Sequence, residues 1–136
     1  MVFGDIIIST NNQLSAPVGS NTFERIKRVS ADPLNYAIFM DHGYRGLYGG
    51  LGMRDIRERK RLKDKEHVLD HMGSTELAAN LFRATQTEEK LRREKIIGKF
   101  RANQTHHEVG AKVRRTIKEL GGTMPESLPA AENIKR

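Results

Sequence analysis

Residues 105–121 read THHEVGAKVRRTIKELG, and their spacing decides the fold class. Val109, Val113, Thr116, Ile117 and Leu120 recur at intervals of three and four, which places them along one side of an α-helix. Thr105 followed three residues later by Glu108 is a capping-box pattern for the start, and Gly121 is a favoured residue just past the end. Lys112, Arg114, Arg115 and Lys118 fall on the opposite side.

Upstream, residues 74–97 read STELAANLFRATQTEEKLRREKII. Ser74 is a natural N-cap, Glu76 suits the positive end of the helix dipole, and Leu77, Ala78, Leu81 and Phe82 recur at helical spacing. A second capping-box pattern, Thr85 with Glu88, predicts a kink or a fresh helix running to about Ile97. In that stretch Glu88–Arg92, Glu89–Arg93 and Lys90–Glu94 are i,i+4 pairs, each contributing about 0.2–0.5 kcal/mol. Leu91 is the sole apolar residue between Gln86 and Lys95, so the element projects into solvent or lies along a partner.

Further upstream, Asp32 before Pro33 marks another helix start, with Leu34, Ala37 and Ile38 on one face. The run GYRGLYGGLG at 43–52 holds five glycines, which predicts a helix end followed by tight turns or close packing. Met53–Lys63 resumes a helical pattern with Ile56 and Leu62 as sparse anchors. The expected architecture is all-α: a small bundle of four or five helices with no strands. Its expected core is Leu34, Ile38, Leu77, Leu81, Phe82, Val109, Val113, Ile117 and Leu120. Residues 1–32 read as an irregular leader, 33–122 as the helical domain and 123–136 as an extended, fraying tail with two prolines.

At 136 residues the chain holds one ordinary domain. Leu, Ile, Val and Phe total 32 residues, enough to fold but only around a thin core. Self-association to a homo-oligomer would complete such a core. Without cysteine, disulfides, thiol nucleophiles and Cys-based zinc sites are excluded. Ile6–Ile8 form too short an apolar run for a signal peptide or membrane span, so a cytoplasmic protein is expected. The net charge of +7 is uneven: residues 1–52 are neutral, and the excess lies in 53–136. Residues 53–65 and 83–101 each carry seven basic and three acidic side chains, and 112–118 carry four basic and none acidic. Such clusters either contact an anionic polymer or are solvated faces paired locally.

Several side chains invite chemistry. Tyr44 and Tyr48 flank Arg45, and such a trio either stacks on unpaired bases or closes a small core over the glycines. With Arg57, Lys60, Arg61, Lys112, Arg114, Arg115 and Lys118 they make the candidate nucleic-acid-binding set. The glycine run lacks a following GK[ST], and residues 50–55 lack the third glycine of a dinucleotide fingerprint, so no nucleotide cofactor is expected. His67 and His71 stand at the i,i+4 spacing of a metal pair. Position 68 is Val, and His42, His106 and His107 supply no third ligand by spacing. No metal, cofactor or catalytic residue is therefore assigned. Asp41 and His42 are adjacent and point apart on a helix; a helix-end role for His42 is favoured.

Residues 42–51, HGYRGLYGGL, resemble the C-terminal region of the DNA-damage-inducible protein D (DinD) family. The likeness continues through 69–91, LDHMGSTELAANLFRATQTEEKL, returns at 121–126, GGTMPE, and covers about residues 36–129. Family members usually also carry an N-terminal Bro-type domain similar to those of phage antirepressors. Phe23–Val29 resembles its opening, so a shortened member is expected, with most of that domain missing. The resemblance implies a non-enzymatic SOS-response accessory that acts on recombination by engaging a recombinase filament or single-stranded DNA. A protein-interaction module docking through Leu91, Ile96 and Ile97 is the alternative, and a metal-dependent nuclease the third reading.

Overall fold

The computed structural model describes residues 33–130, and side chains from Asn35 onward. Four α-helices make up the described chain: α1 (Pro33–Leu47), α2 (Met53–Arg59), α3 (Ser74–Arg93) and α4 (Lys99–Glu119). Single 3-10 turns occur at Val68–His71 and Pro125–Ser127, and the described residues include no strand beyond one isolated bridge, Met72 with Ala130. The expected all-α bundle is what forms. The leader, including the Asp32 cap, lies outside the described residues.

α1 packs chiefly against α4, and small residues set how closely. A Cβ on Gly43 would fall 2.2 Å from His106 Nε2, one on Gly46 2.2 Å from the carbonyl oxygen of His107, and one on Gly110 2.7 Å from that of Gly43. The first two glycines of the run thus lie inside α1 and let two backbones touch. Gly49 and Gly50, at φ +67° and +105°, turn the chain into α2.

The boundaries depart from the sequence reading: α2 ends at Arg59 rather than Lys63, and α3 at Arg93 rather than near Ile97. α3 is continuous through Thr85, whose hydroxyl donates back to the Phe82 carbonyl, and α4 begins at Lys99 rather than Thr105. Thr105 also bonds backward, to Arg101 O at 2.8 Å. A threonine hydroxyl can satisfy a carbonyl within a helix as readily as cap a new one, so the pattern alone does not fix a start. The break falls instead at Lys95 and Gly98, both at positive φ. Gly121 does end α4, with Gly122 N–H on Ile117 O and Gly121 N–H on Lys118 O, a Schellman arrangement.

The core forms two clusters, one around Phe39, Ala84 and Leu91 and a larger one around Tyr44, Leu47, Tyr48, Ile56, Val68, Met72 and Val113. Of the expected core, Val113 is buried, and Leu77, Leu81, Val109 and Ile117 pack at the edges. Ile38, Phe82 (53% exposed) and Leu120 (80% exposed) face outward, and Leu34 lies outside the described side chains. Leu91 turns inward, unavailable to a partner, whereas Ile97 is exposed.

The cause lies in α3. Its inward stripe is Glu76, Asn80, Arg83, Ala84, Thr87, Glu88 and Leu91, so a mostly polar face is buried while Ala78 and Phe82 meet solvent. Burying polar groups is tolerable when they find hydrogen-bond partners, and here Tyr48 and Lys60 supply them to Glu76 and His106 to Arg83, while Thr87 bonds within its own helix.

Candidate nucleic-acid interface

The partners form a connected path through the molecule. Lys60 Nζ on the end of α2 donates to Glu76 Oε1 at 2.8 Å and to the His71 carbonyl. Tyr48 donates its hydroxyl to the other Glu76 oxygen. Asn80 Nδ2 donates to that hydroxyl at 3.0 Å, and Arg83 donates to Asn80 Oδ1 at 3.1 Å. Arg83 also donates to His106 Nε2, which leaves His106 Nδ1 as the protonated nitrogen, donating to Phe39 O at 2.8 Å.

Arg83 is completely buried, with its guanidinium 4.7 Å from the Tyr44 ring centroid, so a cation–π contact replaces part of its lost hydration. Its Nε has no hydrogen-bond partner among the described residues. Burial, helped by the neighbouring Arg83 charge, holds His106 well below the usual histidine range. Burial likewise raises the Tyr44 and Tyr48 hydroxyls above the tyrosine range.

The candidate set divides on this geometry. Tyr44 and Tyr48 lie in the interior with ring centroids 6.0 Å apart, where no base can stack on them, so of the two sequence readings the structure places them as core. Arg45 pairs with Asp41 at 2.7 Å and reaches the Gly50 carbonyl. Arg57 ties down the loop after α2 through the carbonyls of Glu66 at 2.8 Å and Lys63 at 2.6 Å. Lys60 belongs to the buried path. Arg114 makes a two-pronged pair with Glu126, both contacts at 2.9 Å, and donates to Leu47 O. Six of the ten candidate residues, Tyr44, Arg45, Tyr48, Arg57, Lys60 and Arg114, are thus engaged within the fold.

Arg61, Lys112, Arg115 and Lys118 are exposed and make no ion pair among the described residues; Arg54, Lys63 and Lys65 share that condition around α2. Lys112, Arg115 and Lys118 stand three residues apart along the last two turns of α4, a span of about 9 Å at helical rise. Glu108 and Glu119 are exposed on the same helix, so the strip is interrupted rather than uniformly positive. The i,i+4 pairs expected on α3 all form and occupy Lys90, Arg92 and Arg93, whereas Lys95, Lys99 and Arg101 of that cluster are exposed and make no ion pair among the described residues.

His67 is exposed, and His71 lies 3.5 Å from Glu66. Among the described residues no group of three His, Asp or Glu could hold a metal ion, and no helix is long and apolar enough to cross a membrane.

The DinD C-terminal domain family matches residues 21–136. The DNA damage-inducible protein D of Escherichia coli (strain K12) is 63% identical over 102 residues, which is 75% of this chain and 37% of that protein. The chain therefore spans well under half of that relative's length. No solved structure matches. With a family match over most of its length and the helical fold described above, the chain belongs to the DinD C-terminal domain family.

Proposed function

We propose that this chain is a non-enzymatic accessory of the DNA-damage response that engages single-stranded DNA, bare or within a recombinase filament, through the exposed cations of α4 and of the end of α2. The observation that carries the reading is the trio Lys112, Arg115 and Lys118, exposed and unneutralised among the described residues while their neighbour Arg114 is consumed by Glu126. The printed name of the Escherichia coli relative supports the setting in DNA damage.

Contacts of this kind are to phosphates, so binding is expected to vary little with base sequence and to weaken with salt. Three phosphate contacts predict a slope of about −2 in log affinity against log salt for single strands. Titrating labelled oligonucleotide at several salt concentrations tests this. Replacing Lys112, Arg115 and Lys118 by Glu should abolish the affinity at low salt while the helical signal persists. Absence of binding by the unaltered chain at low ionic strength removes direct DNA contact from the reading. Arg114 is unsuitable as a probe, since its loss would unfasten Glu126.

A protein-interaction reading has its own observation: Ile97 and Phe100, at the α3–α4 turn, are 77% and 81% exposed. Light scattering that shows a defined oligomer, lost on Phe100→Asp, would favour it.

A further inference from the structure

Phe100, 81% exposed at the start of α4, is the most exposed aromatic ring among the described residues. It lines a cleft of about 610 Å³ between the N-terminal halves of α1 and α4, together with Ile38 and His42 from α1 and Asn103, Gln104 and His107 from α4. We propose that this cleft takes an unpaired base of single-stranded DNA, stacked on the Phe100 ring, while Lys95, Lys99 and Arg101 meet the phosphates on either side. The inference rests on the single-strand reading above and adds a base contact to what is there a set of phosphate contacts.

Charge favours a nucleotide over an apolar partner. Every ionisable side chain from residue 95 to 107 is a Lys, Arg or His, and Lys95, Lys99 and Arg101 are exposed without an ion pair among the described residues. An apolar surface laid over Phe100 would desolvate those cations and return nothing, whereas a strand brings a phosphate with each base. The walls agree. Asn103, Gln104, His42 and His107 can donate to and accept from base edges, and no described Asp or Glu lines the cleft to repel a phosphate. Its volume lies within the range of about 300–1,000 Å³ typical of small-molecule sites. An exposed aromatic ring stacks on any base, so the site tolerates sequence as the phosphate contacts do. Position agrees as well: Phe100 and Lys118 are separated by about five helical turns and so lie on one line of α4, with Arg115 about 60° round from it. Tyr44 and Tyr48, the rings that sequence offered for stacking, are buried; the fold leaves Phe100 free for that role.

The chain has no tryptophan, so Phe100→Trp puts a single fluorescent reporter at the site. Oligothymidylate should quench its emission in step with binding, followed in parallel by the anisotropy of the labelled strand. An abasic strand of equal length keeps the phosphates; it should bind about tenfold more weakly and leave the emission unchanged. Phe100→Ala should lose about tenfold in affinity for oligothymidylate and nothing for the abasic strand. Binding without quenching, or equal affinities of Phe100→Ala and the unaltered chain, overturns this site and leaves the phosphate contacts standing. No binding of either strand at low salt overturns both. An emission shift that grows with protein concentration in the absence of DNA sets position 100 against a second copy, and also overturns the assignment.

Discussion

At the scale of single residues, Arg83 and His106 form a fully buried polar pair. The neutral imidazole accepts from the guanidinium through Nε2 and donates through Nδ1, so a second proton has nowhere to go without setting two buried cations side by side. His106 in the unfolded chain titrates near 6.5, and in the fold it titrates well below that. Above pH 6.5 the group is neutral in both states and contributes no pH dependence. Below 6.5 only the unfolded state takes the proton, so stability should fall by up to about 1.4 kcal/mol per pH unit. Urea midpoints should be level from pH 8 to 7 and drop between pH 6.5 and 5; His106→Gln should be less stable but lack that drop. The ring also explains a glycine. Gly→Ala in an exposed helix usually stabilises by about 0.5–1 kcal/mol, yet Gly43→Ala should destabilise by about 1–3 kcal/mol, because its methyl would strike His106. A thermal melt gives the sign.

At the scale of elements, helix ends show where local chemistry is not optimised. α2 and α3 stop on Arg61 and Lys95 in the left-handed region, at φ 56° and 52°, with bonding patterns like the one Gly121 completes for α4. A side chain there costs about 1–2 kcal/mol, partly offset by the extra freedom glycine gives the unfolded chain. Lys95→Gly should therefore raise stability by about 0.5–1 kcal/mol, read as a higher melting temperature, with helix content unchanged. The existence and type of α3 and α4 were legible from periodicity, as was the Gly121 stop. The start of α3 at Ser74 was legible too, but the start of α4 and the continuity at Thr85 were not, because a Thr with Glu three residues on is chemically at home both at an N-cap and within a helix.

At the scale of the whole molecule, residues 123–130 run back across the bundle and are fastened there: Pro125 is buried, Ala130 bridges to Met72, and Glu126 grips Arg114 while its carbonyl receives Arg59. Burial raises the Glu126 carboxyl, but its hydrogen bonds, led by Arg114, outweigh that and hold it below the usual carboxylate range. Glu126→Ala should cost about 1–3 kcal/mol, and amide exchange in 124–130 should speed up while α3 stays protected. The sequence by itself determined that the chain is helical, that its positive charge lies beyond residue 52, and which family it resembles, since these depend on local spacing and composition. Which face of α3 turns inward, and which cations stay exposed without an ion pair among the described residues, only the tertiary structure decided. Glu76 meets Tyr48 across 28 residues of sequence and Arg83 meets His106 across 23. Whether a polar side chain can be buried depends on a partner that its own neighbourhood does not contain.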